Sequence, residues 1–524
     1  MGSFLRSRNI KRWLAGSLAA VILASPLTGC QSRDISKVLN SAVESSPLSS
    51  MLKEVSSQIS SATSSKSSSA ASKKAISSAV SAVVNSKAAA KAPAAVIKPK
   101  QKVAAKKAAS SKVDTGNQSI KKIAIDQVNK AGARLAVTQS KPAAAAYARI
   151  DERSGYNYLS NSVSRTLYSQ IMQSVYKVTQ QPTSQGYYPT ERITVKNAHL
   201  SEAQLRIAMM AFLNDNPQVF WLANVYSYGY TDSDTIIQLY SVVSQSQCNA
   251  MVQQLNQKVG AVIHSMPSGL SQLDREIFLA DYLVRNNVYD TAAVTDTTRW
   301  KAFTSYGALV EGSVVCEGYS RAMQLLSSYA GLQCMLITGQ SGGVNHMWNL
   351  MQIDGNWYHL DNTWDDNDPQ IYNYFNVTDS VIEQTHTVFP TASSLTEAQI
   401  DGSDGSTPAG LNLAMPACNA TAANYFYAKG IHIAGLSGAN DSAAVSAVAA
   451  AAKQKKESVS FYIETGADYD QTIAGMVKGA PYKLVGYITG ANRLLGGNVI
   501  NLGGIKYIQD PSDRGLTVFL SYNR

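Results

Sequence analysis

The chain has few cysteines and few histidines for its length. Among its 524 residues there are five cysteines and six histidines. No CxxC pair occurs, and the histidines lack the regular spacing of metal ligands. This pattern excludes a disulfide scaffold and a zinc-finger type of site, and we expect neither a metal nor a cofactor. Two alternatives are left for Cys248, Cys334 and Cys418: a disulfide between two of them, or free thiols. Cys334 is expected to be a small buried apolar residue.

Long apolar runs are also scarce, and the main one lies in residues 1–30. Four basic residues precede a mostly apolar segment from Trp13 to Leu27, which is shorter than the roughly 20 residues needed to span a bilayer. This order is typical of a secretion signal. The segment ends in Leu27-Thr28-Gly29-Cys30, which resembles the bacterial lipoprotein box. Cys30 is therefore predicted to carry a lipid; an ordinary cleaved signal or a short anchor is the alternative.

Residues 31–142 lack aromatic side chains and consist mainly of Ser, Ala and Lys. Such a composition has too little apolar surface to offset the entropy cost of ordering the chain. We predict a disordered tether that crosses a cell wall, with a disordered tail of no specific use as the alternative.

The positive charge of the chain belongs to this tether. Residues 31–142 carry nineteen basic and five acidic side chains, whereas residues 143–524 carry 23 basic and 31 acidic ones, a net charge of −8. The folded part therefore lacks the charge that nucleic-acid binding requires, and we expect no nucleic-acid partner. The basic tether suits anionic wall polymers or phospholipid head groups.

Composition and periodicity divide the remainder into four parts. Residues 143–270 are predicted to be mainly helical, with 155–180 and 201–265 largely helical. Residues 271–390 begin with a helix over 271–287 and continue into the reactive motifs described below. Residues 391–423 are rich in Ser, Gly, Thr and Pro, as expected of a linker, and residues 424–524 have the pattern of a small accessory α/β domain.

The central part changes from a helical to a strand period. A helix is predicted over 317–330, closed by Gly331, and strands over 334–338, 347–353 and 357–360. Asp354-Gly355 is a hairpin turn signal. A helix followed by antiparallel strands indicates the α+β class.

The C-terminal part is predicted to combine one helix with several strands. The pattern favours strands over 426–433, 459–463, 483–488 and 516–522, and an Ala-rich helix over 441–456. It contains no recognisable set of catalytic residues, so an accessory or packing role is expected.

Cys316, His346 and Asp361 follow one another within 46 residues. Cys316 falls in the first turn of the predicted helix, whose N-terminal N–H groups stabilise a thiolate and an oxyanion. If Ile353 pairs with Asn356 across the hairpin, Asp361 becomes the diagonal neighbour of His346. A thiol, a base and a residue that orients the base suffice for covalent acyl transfer.

Three motifs carry a family resemblance: Cys316-Glu317-Gly318-Tyr319, Asn345-His346-Met347-Trp348-Asn349 and Asp361-Asn362-Thr363-Trp364-Asp365. They resemble the motifs of the transglutaminase-like superfamily, which is related in architecture to papain-like cysteine peptidases. The resemblance covers roughly residues 271–390. It implies a papain-like α+β core in which Cys316 is the nucleophile, His346 the base and Asp361 the orienting residue, and it implies peptidase, amidase or cross-linking chemistry.

Some neighbouring residues are weaker candidates for the same chemistry. His359 shares a strand face with Asp361 but lacks the surroundings of His346, so His346 is preferred as the base. Tyr306 and Asn345 are candidates for a second oxyanion donor, although packing or turn roles are expected for both. The acidic side chains near the last motif lack a calcium-binding loop and are predicted to be solvated; they are Asp365, Asp366 and Asp368.

These observations predict a lipid-anchored protein on the outer face of the cell membrane of a Gram-positive type of bacterium. It would act on cell-surface proteins or wall peptides, with hydrolysis favoured over cross-linking because hydrolysis needs only water. The first alternative is a non-catalytic surface module that keeps the fold for binding or wall organisation. The second is an adhesin whose core forms an intramolecular cross-link.

Overall fold

The computed structural model describes residues 11–12, 154–296, 298–404, 410–438 and 441–523. The secretion signal, Cys30 and the tether fall outside these ranges, apart from Lys11–Arg12. Within them the α-helices are α1 Ser154–Tyr158, α2 Ser162–Ser174, α3 Glu202–Asp215, α4 Gln245–Ser265, α5 Gln272–Asn286, α6 Cys316–Tyr329, α7 Asn362–Asp365, α8 Asp379–Ile382, α9 Glu397–Asp401, α10 Tyr425–Lys429, α11 Asp441–Lys453, α12 Tyr469–Ile473 and α13 Lys483–Leu494.

The strands are β1 Lys11–Arg12, β2 Tyr188–Pro189, β3 Ile193–Val195, β4 Leu222–Tyr230, β5 Thr235–Ser241, β6 Val288–Tyr289, β7 Ser313–Val314, β8 Gln333–Ser341, β9 Val344–Ile353, β10 Asn356–Leu360, β11 Phe375–Val377, β12 His386–Val388, β13 Ile431–Ile433, β14 Ser458–Ile463, β15 Lys506–Asp510 and β16 Gly515–Phe519. This mixture of helices and sheets confirms the α+β class.

The first folded region combines helices with an antiparallel sheet. Strand β5 pairs with β2, β3 and β4, and β4 also pairs with β1. The helical prediction for 201–265 is therefore wrong for β4 and β5, although α3 and α4 occupy most of the rest. Burial along β5 alternates strictly, and its β-branched residues and the tyrosines of β4 favour strands. The turn that joins the two strands is closed by a hydrogen bond from the Thr231 N–H to Asp234 O.

The central region consists of α5, α6 and a five-stranded antiparallel sheet in the order β11-β10-β9-β8-β12. Helix α6 buries Tyr319, Met323 and Leu326 completely in a core shared with α5 and with Met351 of β9. Each such side chain stabilises the fold by roughly 1.5–3 kcal/mol relative to an exposed one. The helix ends as predicted, because Gly331 follows it at φ +69°, a conformation that favours glycine.

The segment between the central and C-terminal regions is packed rather than a bare linker. Asn412 exchanges hydrogen bonds with the backbone of Thr338, donating to its carbonyl and accepting from its N–H at 2.9 and 2.8 Å. Ile400 and Leu411 are buried against Ala203 of α3. The polar composition that indicated a linker over 391–423 instead supplies side-chain caps and backbone hydrogen bonds.

The C-terminal region forms a four-stranded sheet in the order β13-β14-β16-β15, in which only the β13–β14 pair is parallel. Helices α11 and α13 pack with it around their own apolar core. Residues 483–488, predicted as a strand, begin α13 instead. Its buried apolar residues are Leu484, Tyr487, Ile488 and Ala491, and their spacing of three to four is the helical period.

Three buried acids lie where the central and C-terminal regions meet. Burial raises the pKa of Asp365 well above its usual range, and Asp510 adds to this effect. Burial also raises the pKa of Asp510 to about 6 and, with the charge of Asp510, that of Asp513 to about 8. The prediction that Asp365 is solvated is wrong, because it ends α7 facing the interior and accepts the Tyr374 N–H at 2.9 Å. Asp366 is partly buried too, and it accepts a hydrogen bond from the Tyr319 hydroxyl.

The raised pKa values of these three acids predict that the free energy of unfolding falls as the pH rises. A carboxyl whose pKa is raised on folding contributes stability that is complete below its unfolded pKa near 4 and is lost as the pH approaches the folded value. Asp513→Asn, which mimics the protonated form, is therefore expected to raise the melting temperature increasingly from pH 4 to pH 8. The matched control is Glu457→Gln, an exposed acid of the same region. A difference in melting temperature between wild type and Asp513→Asn that stays the same from pH 4 to pH 8 would contradict the argument.

Candidate active site

Cys316 is the first residue of α6, as its sequence context predicted. Val315 forms the N-cap without a side-chain hydrogen bond and is itself fixed by donating its N–H to Ala302 O at 3.0 Å. Gly318 permits this close approach, since a Cβ there would lie 2.6 Å from Ala302 O. The thiol therefore sits at the positive end of the helix dipole, in a rigid and mostly buried place.

Polar contacts fix α6 against β9, the strand that carries His346. Ser320 Oγ lies 2.9 Å from Met347 O, and Asn349 Nδ2 donates to Ser320 O at 3.0 Å. All three groups are buried. Because a buried polar group without a partner is costly, these hydrogen bonds favour one relative position of helix and strand.

The hairpin register that the sequence predicted is confirmed. Asp354 and Gly355 have φ angles of +49° and +85°, as a tight two-residue turn requires. Ile353 pairs with Asn356, and the ladder continues to Leu360 opposite Asn349. Asp361, the next residue, follows directly at the end of β10.

His346 and Asp361 meet across this hairpin. His346 Nε2 donates to Asp361 Oδ2 at 2.6 Å, with only 8% of the His346 side chain and 1% of the Asp361 side chain exposed. Asp361 Oδ1 accepts the N–H groups of Thr363 and Trp364 at 3.0 and 3.3 Å and so caps α7. The capping bonds hold the carboxylate still, which orients the imidazole.

The charges of the site favour an imidazolium beside a carboxylate. Burial alone would lower the pKa of His346, but Asp361 and Cys316 outweigh it through charge and hydrogen bonding and raise that pKa to about 10. Burial likewise opposes ionisation of Asp361, yet His346 and His386 together hold its pKa well below the usual range. Since Nε2 faces Asp361, the other ring nitrogen is left for the thiol.

His359, the rival base, has both ring nitrogens occupied elsewhere. Its Nδ1 accepts the Trp348 indole N–H at 2.9 Å, and its Nε2 donates to Asp379 Oδ1 at 2.8 Å. Burial lowers its pKa against the effect of Asp379. His359 therefore positions Trp348, whose ring stacks on His346 with centroids 5.9 Å apart.

Two residues near the site were not predicted from the sequence. His386 Nε2 lies 3.1 Å from Asp361 Oδ2, and its ring is completely buried. Tyr289 of β6 is 37% exposed, and its pKa is raised by burial and by the charges of Cys316 and Asp361. Tyr289 pairs in parallel with Val314, which lies two residues before Cys316, and this pairing brings Tyr289 close to the site.

The two candidates for a second oxyanion donor have other contacts. The Tyr306 hydroxyl donates to Gln254 Oε1 at 2.6 Å, and its ring stacks on Phe220, so it is a packing residue. Asn345 Oδ1 accepts from Gln340 Nε2 at 3.3 Å across the β8–β9 pair.

The other described cysteines are unpaired thiols. Burial raises the pKa of Cys248 and of Cys418 to about 12 and that of Cys334 further. The disulfide left open by the sequence therefore does not form among them.

Among the residues that the structure describes, two groups of side chains have metal-ligand character. They are His346, Asp361 and His386, and His359, Asp379 and Cys418, and within each group the ligand atoms lie within 4.8 Å of one another. In both groups the carboxylate already accepts hydrogen bonds from imidazole N–H groups. A metal ion would have to displace those protons.

Comparison with curated proteins finds local similarity to one kind of peptidase. The chain is 33% identical over 88 residues to human kyphoscoliosis peptidase, covering 14% of this chain and 13% of that protein. It is 28% identical over 122 residues to the mouse protein, covering 21% and 18%. Kyphoscoliosis peptidase is transglutaminase-like. The resemblance to the transglutaminase-like superfamily is confirmed. The chain spans less than a fifth of the length of either relative, and no family model matches it.

Comparison with solved structures finds matches to part of the chain with low overall similarity. A crystal structure of a TGase matches 33% of this chain and 50% of its own at 15% identity and a TM-score of 0.21. A candidate cysteine protease from Cytophaga hutchinsonii matches 40% of this chain and 73% of its own at 9% identity and a TM-score of 0.19.

Gly339 is predicted to be essential to the sheet beside the site. A Cβ at this position would lie 2.3 Å from Thr387 O and 2.7 Å from the Trp348 ring. Gly339→Ala should therefore lower the free energy of unfolding by about 1–3 kcal/mol, measured by urea denaturation. Gly229→Ala, in a strand with open space around the glycine, should change it by no more than about 0.5 kcal/mol. Equal effects of the two substitutions would contradict the packing argument.

Proposed function

We propose that this protein is an enzyme of thiol-dependent acyl transfer at amide bonds, acting on proteins or peptides at the outer cell surface. The observation that supports it most concerns His346. This residue donates to Asp361 Oδ2 at 2.6 Å, and Cys316 raises its pKa through charge and hydrogen bonding. Binding alone would require none of these three side chains. The transglutaminase-like resemblance supports the same chemistry.

The first half of the reaction breaks the amide. The Cys316 thiolate attacks the carbonyl carbon and forms a C–S bond, while the charge that develops on oxygen faces the N-terminus of α6. The His346 imidazolium donates its proton to the nitrogen as the C–N bond breaks. The products are an acyl thioester on Cys316, a free amine and a neutral His346 that Asp361 keeps in one orientation.

The second half transfers the acyl group. Water or a second amine attacks the thioester, the proton of the attacking group passes to His346, and the C–S bond breaks to restore the thiolate–imidazolium pair. Hydrolysis is the favoured outcome, because cross-linking needs a site that excludes water and admits an amine.

The test is the pH dependence of iodoacetamide labelling at Cys316, followed by peptide mass mapping of the whole chain carrying Cys30→Ser. An unperturbed thiol is on the order of 0.3% thiolate at pH 6. If His346 maintains a thiolate, Cys316 should label at pH 6 at least about tenfold faster than in His346→Ala.

Internal controls come from the same digest. Cys248 and Cys418, which are buried with raised pKa values, should label slowly in both proteins. Slow labelling of Cys316 with the same pH midpoint in wild type and His346→Ala would contradict the enzyme proposal. The non-catalytic surface module would then be preferred, whereas loss of one ammonia in the intact mass would favour the intramolecularly cross-linked adhesin.

The proposed location rests on the N-terminal sequence. Among the described residues, no helix combines the length and apolarity that crossing a membrane requires. From the Leu27-Thr28-Gly29-Cys30 motif we propose that a lipid on Cys30 attaches the protein to the membrane, and that the basic tether of residues 31–142 leads to the folded part outside the cell and contacts anionic wall polymers.

Lipid attachment predicts a clear difference between two cysteine variants. When the whole chain is produced in a bacterium fed labelled palmitate, the wild type and Cys248→Ser should incorporate the label and sediment with membranes. Cys30→Ser should do neither. Incorporation of palmitate by Cys30→Ser would exclude Cys30 as the lipidated residue.

A further inference from the structure

His386 lies on the same sheet face as the proposed triad, although it is distant from it in the sequence. It pairs with Ser341 of β8, and His346 pairs with Gly339 of the same strand. Paired residues share a face and so do residues two apart, which puts both histidines on one side of β8. Gly339 lies between them without a side chain, and the two rings approach to a centroid distance of 5.3 Å.

Asp361 receives four hydrogen bonds, and His386 supplies the last of them. Oδ1 accepts two backbone N–H groups. Oδ2 accepts His346 Nε2 at 2.6 Å and His386 Nε2 at 3.1 Å. An ionised carboxylate has about four acceptor sites, so these donors satisfy it fully. The two imidazoles therefore share one oxygen of a completely buried anion.

The contacts of His386 define which of its nitrogens carries the proton. The Asp361 carboxylate can only accept a hydrogen bond, so its contact with Nε2 places a hydrogen on that nitrogen. The Thr385 hydroxyl lies 2.9 Å from Nδ1 and can donate to it. Trp348 and Trp364 enclose the ring, each with a centroid 5.1 Å away. Such a ring has little freedom to turn away from the carboxylate.

We propose that His386 is a positioning residue of this site, which, through its hydrogen bond to Asp361 Oδ2, limits how strongly the carboxylate holds the proton of His346. The inference rests on the proposed function for its catalytic meaning, but the coupling between the two histidines can be measured without any substrate. The His386 N–H withdraws negative charge from the oxygen that His346 also uses. Without it, Asp361 attracts the imidazolium more strongly, and His346 gives up its proton less readily to a leaving amine.

Other ionisable groups face the same cluster and define the background of any titration. Cys316 acts on His346 directly, and Asp365 interacts with Asp361. His359 and Tyr374 lie on the side of His386. None of them donates to Asp361 Oδ2, so His346 and His386 are the donors to that oxygen among the contacts of the described residues.

The test is the titration of the six histidine rings by NMR, using ¹⁵N-histidine in the whole chain carrying Cys30→Ser. In His386→Phe, which keeps a ring but lacks the donor, the midpoint of His346 should rise by roughly half a unit or more. In His386→Gln, whose amide N–H can reach the same oxygen, it should return toward the wild-type value. His264→Phe, at an exposed position, should leave it unchanged.

A purely structural role for His386 would give a different pattern. An unchanged His346 midpoint in a folded His386→Phe protein would overturn the proposal, and so would a Gln variant that behaves like the Phe variant. If His386→Phe does not fold, the wild-type ¹⁵N spectrum provides the second test, since a hydrogen bond from His386 to Asp361 Oδ2 requires the hydrogen of His386 on Nε2. A neutral His386 that carries its hydrogen on Nδ1 would also overturn the proposal.

The same sample separates this inference from the proposed function. Iodoacetamide labelling of wild-type Cys316 tests the thiolate, whereas the histidine titration tests the coupling. Slow labelling together with a shifted His346 midpoint would remove the enzyme proposal and keep the coupling. Fast labelling with no shift would keep the enzyme and reject His386 as a positioning residue.

Discussion

The site depends on one buried carboxylate. Asp361 directly follows β10, caps α7 with one oxygen and binds two imidazoles with the other. A buried anion is stable only where hydrogen bonds replace its lost hydration. Each element that supplies a donor is therefore held in position against Asp361. The hairpin, the short helix α7 and the strand that begins at His386 are therefore positioned by the same charge that orients His346.

Much of this arrangement could be predicted from the sequence because it is local. Asp354-Gly355 specifies its own turn, the period of two specifies which residues share a face, and these two facts place His346 beside Asp361. Cys316 was placed correctly because the residues after it have a helical period that ends at Gly331. In each case the relevant residues are close together in the chain, so that local propensity and tertiary structure agree.

The parts that the sequence did not predict depend on distant pairings. His386 reaches Asp361 because β12 pairs with β8, and nothing near Thr385 or Thr387 indicates that partner. Tyr289 reaches Cys316 through a two-residue parallel pairing that is too short to leave a pattern. Asp365 was expected in solvent because acidic residues usually are, yet it is buried and interacts with Asp510 of the C-terminal region. Residues 483–488 alternate enough to indicate a strand, and burial on one helical face overrides that pattern.

The C-terminal region and the segment that precedes it both contact the central region. Tyr425 stacks on Tyr372 with ring centroids 3.7 Å apart and nearly parallel planes, and the Asn376 amide donates to Ala423 O. Asp379 accepts the backbone N–H of Cys418 at 2.9 Å and also fixes His359 behind Trp348. In evolutionary terms, a gene rearrangement that moved residues 271–390 alone would leave behind residues that help to position the side chains around Cys316, His346 and Asp361.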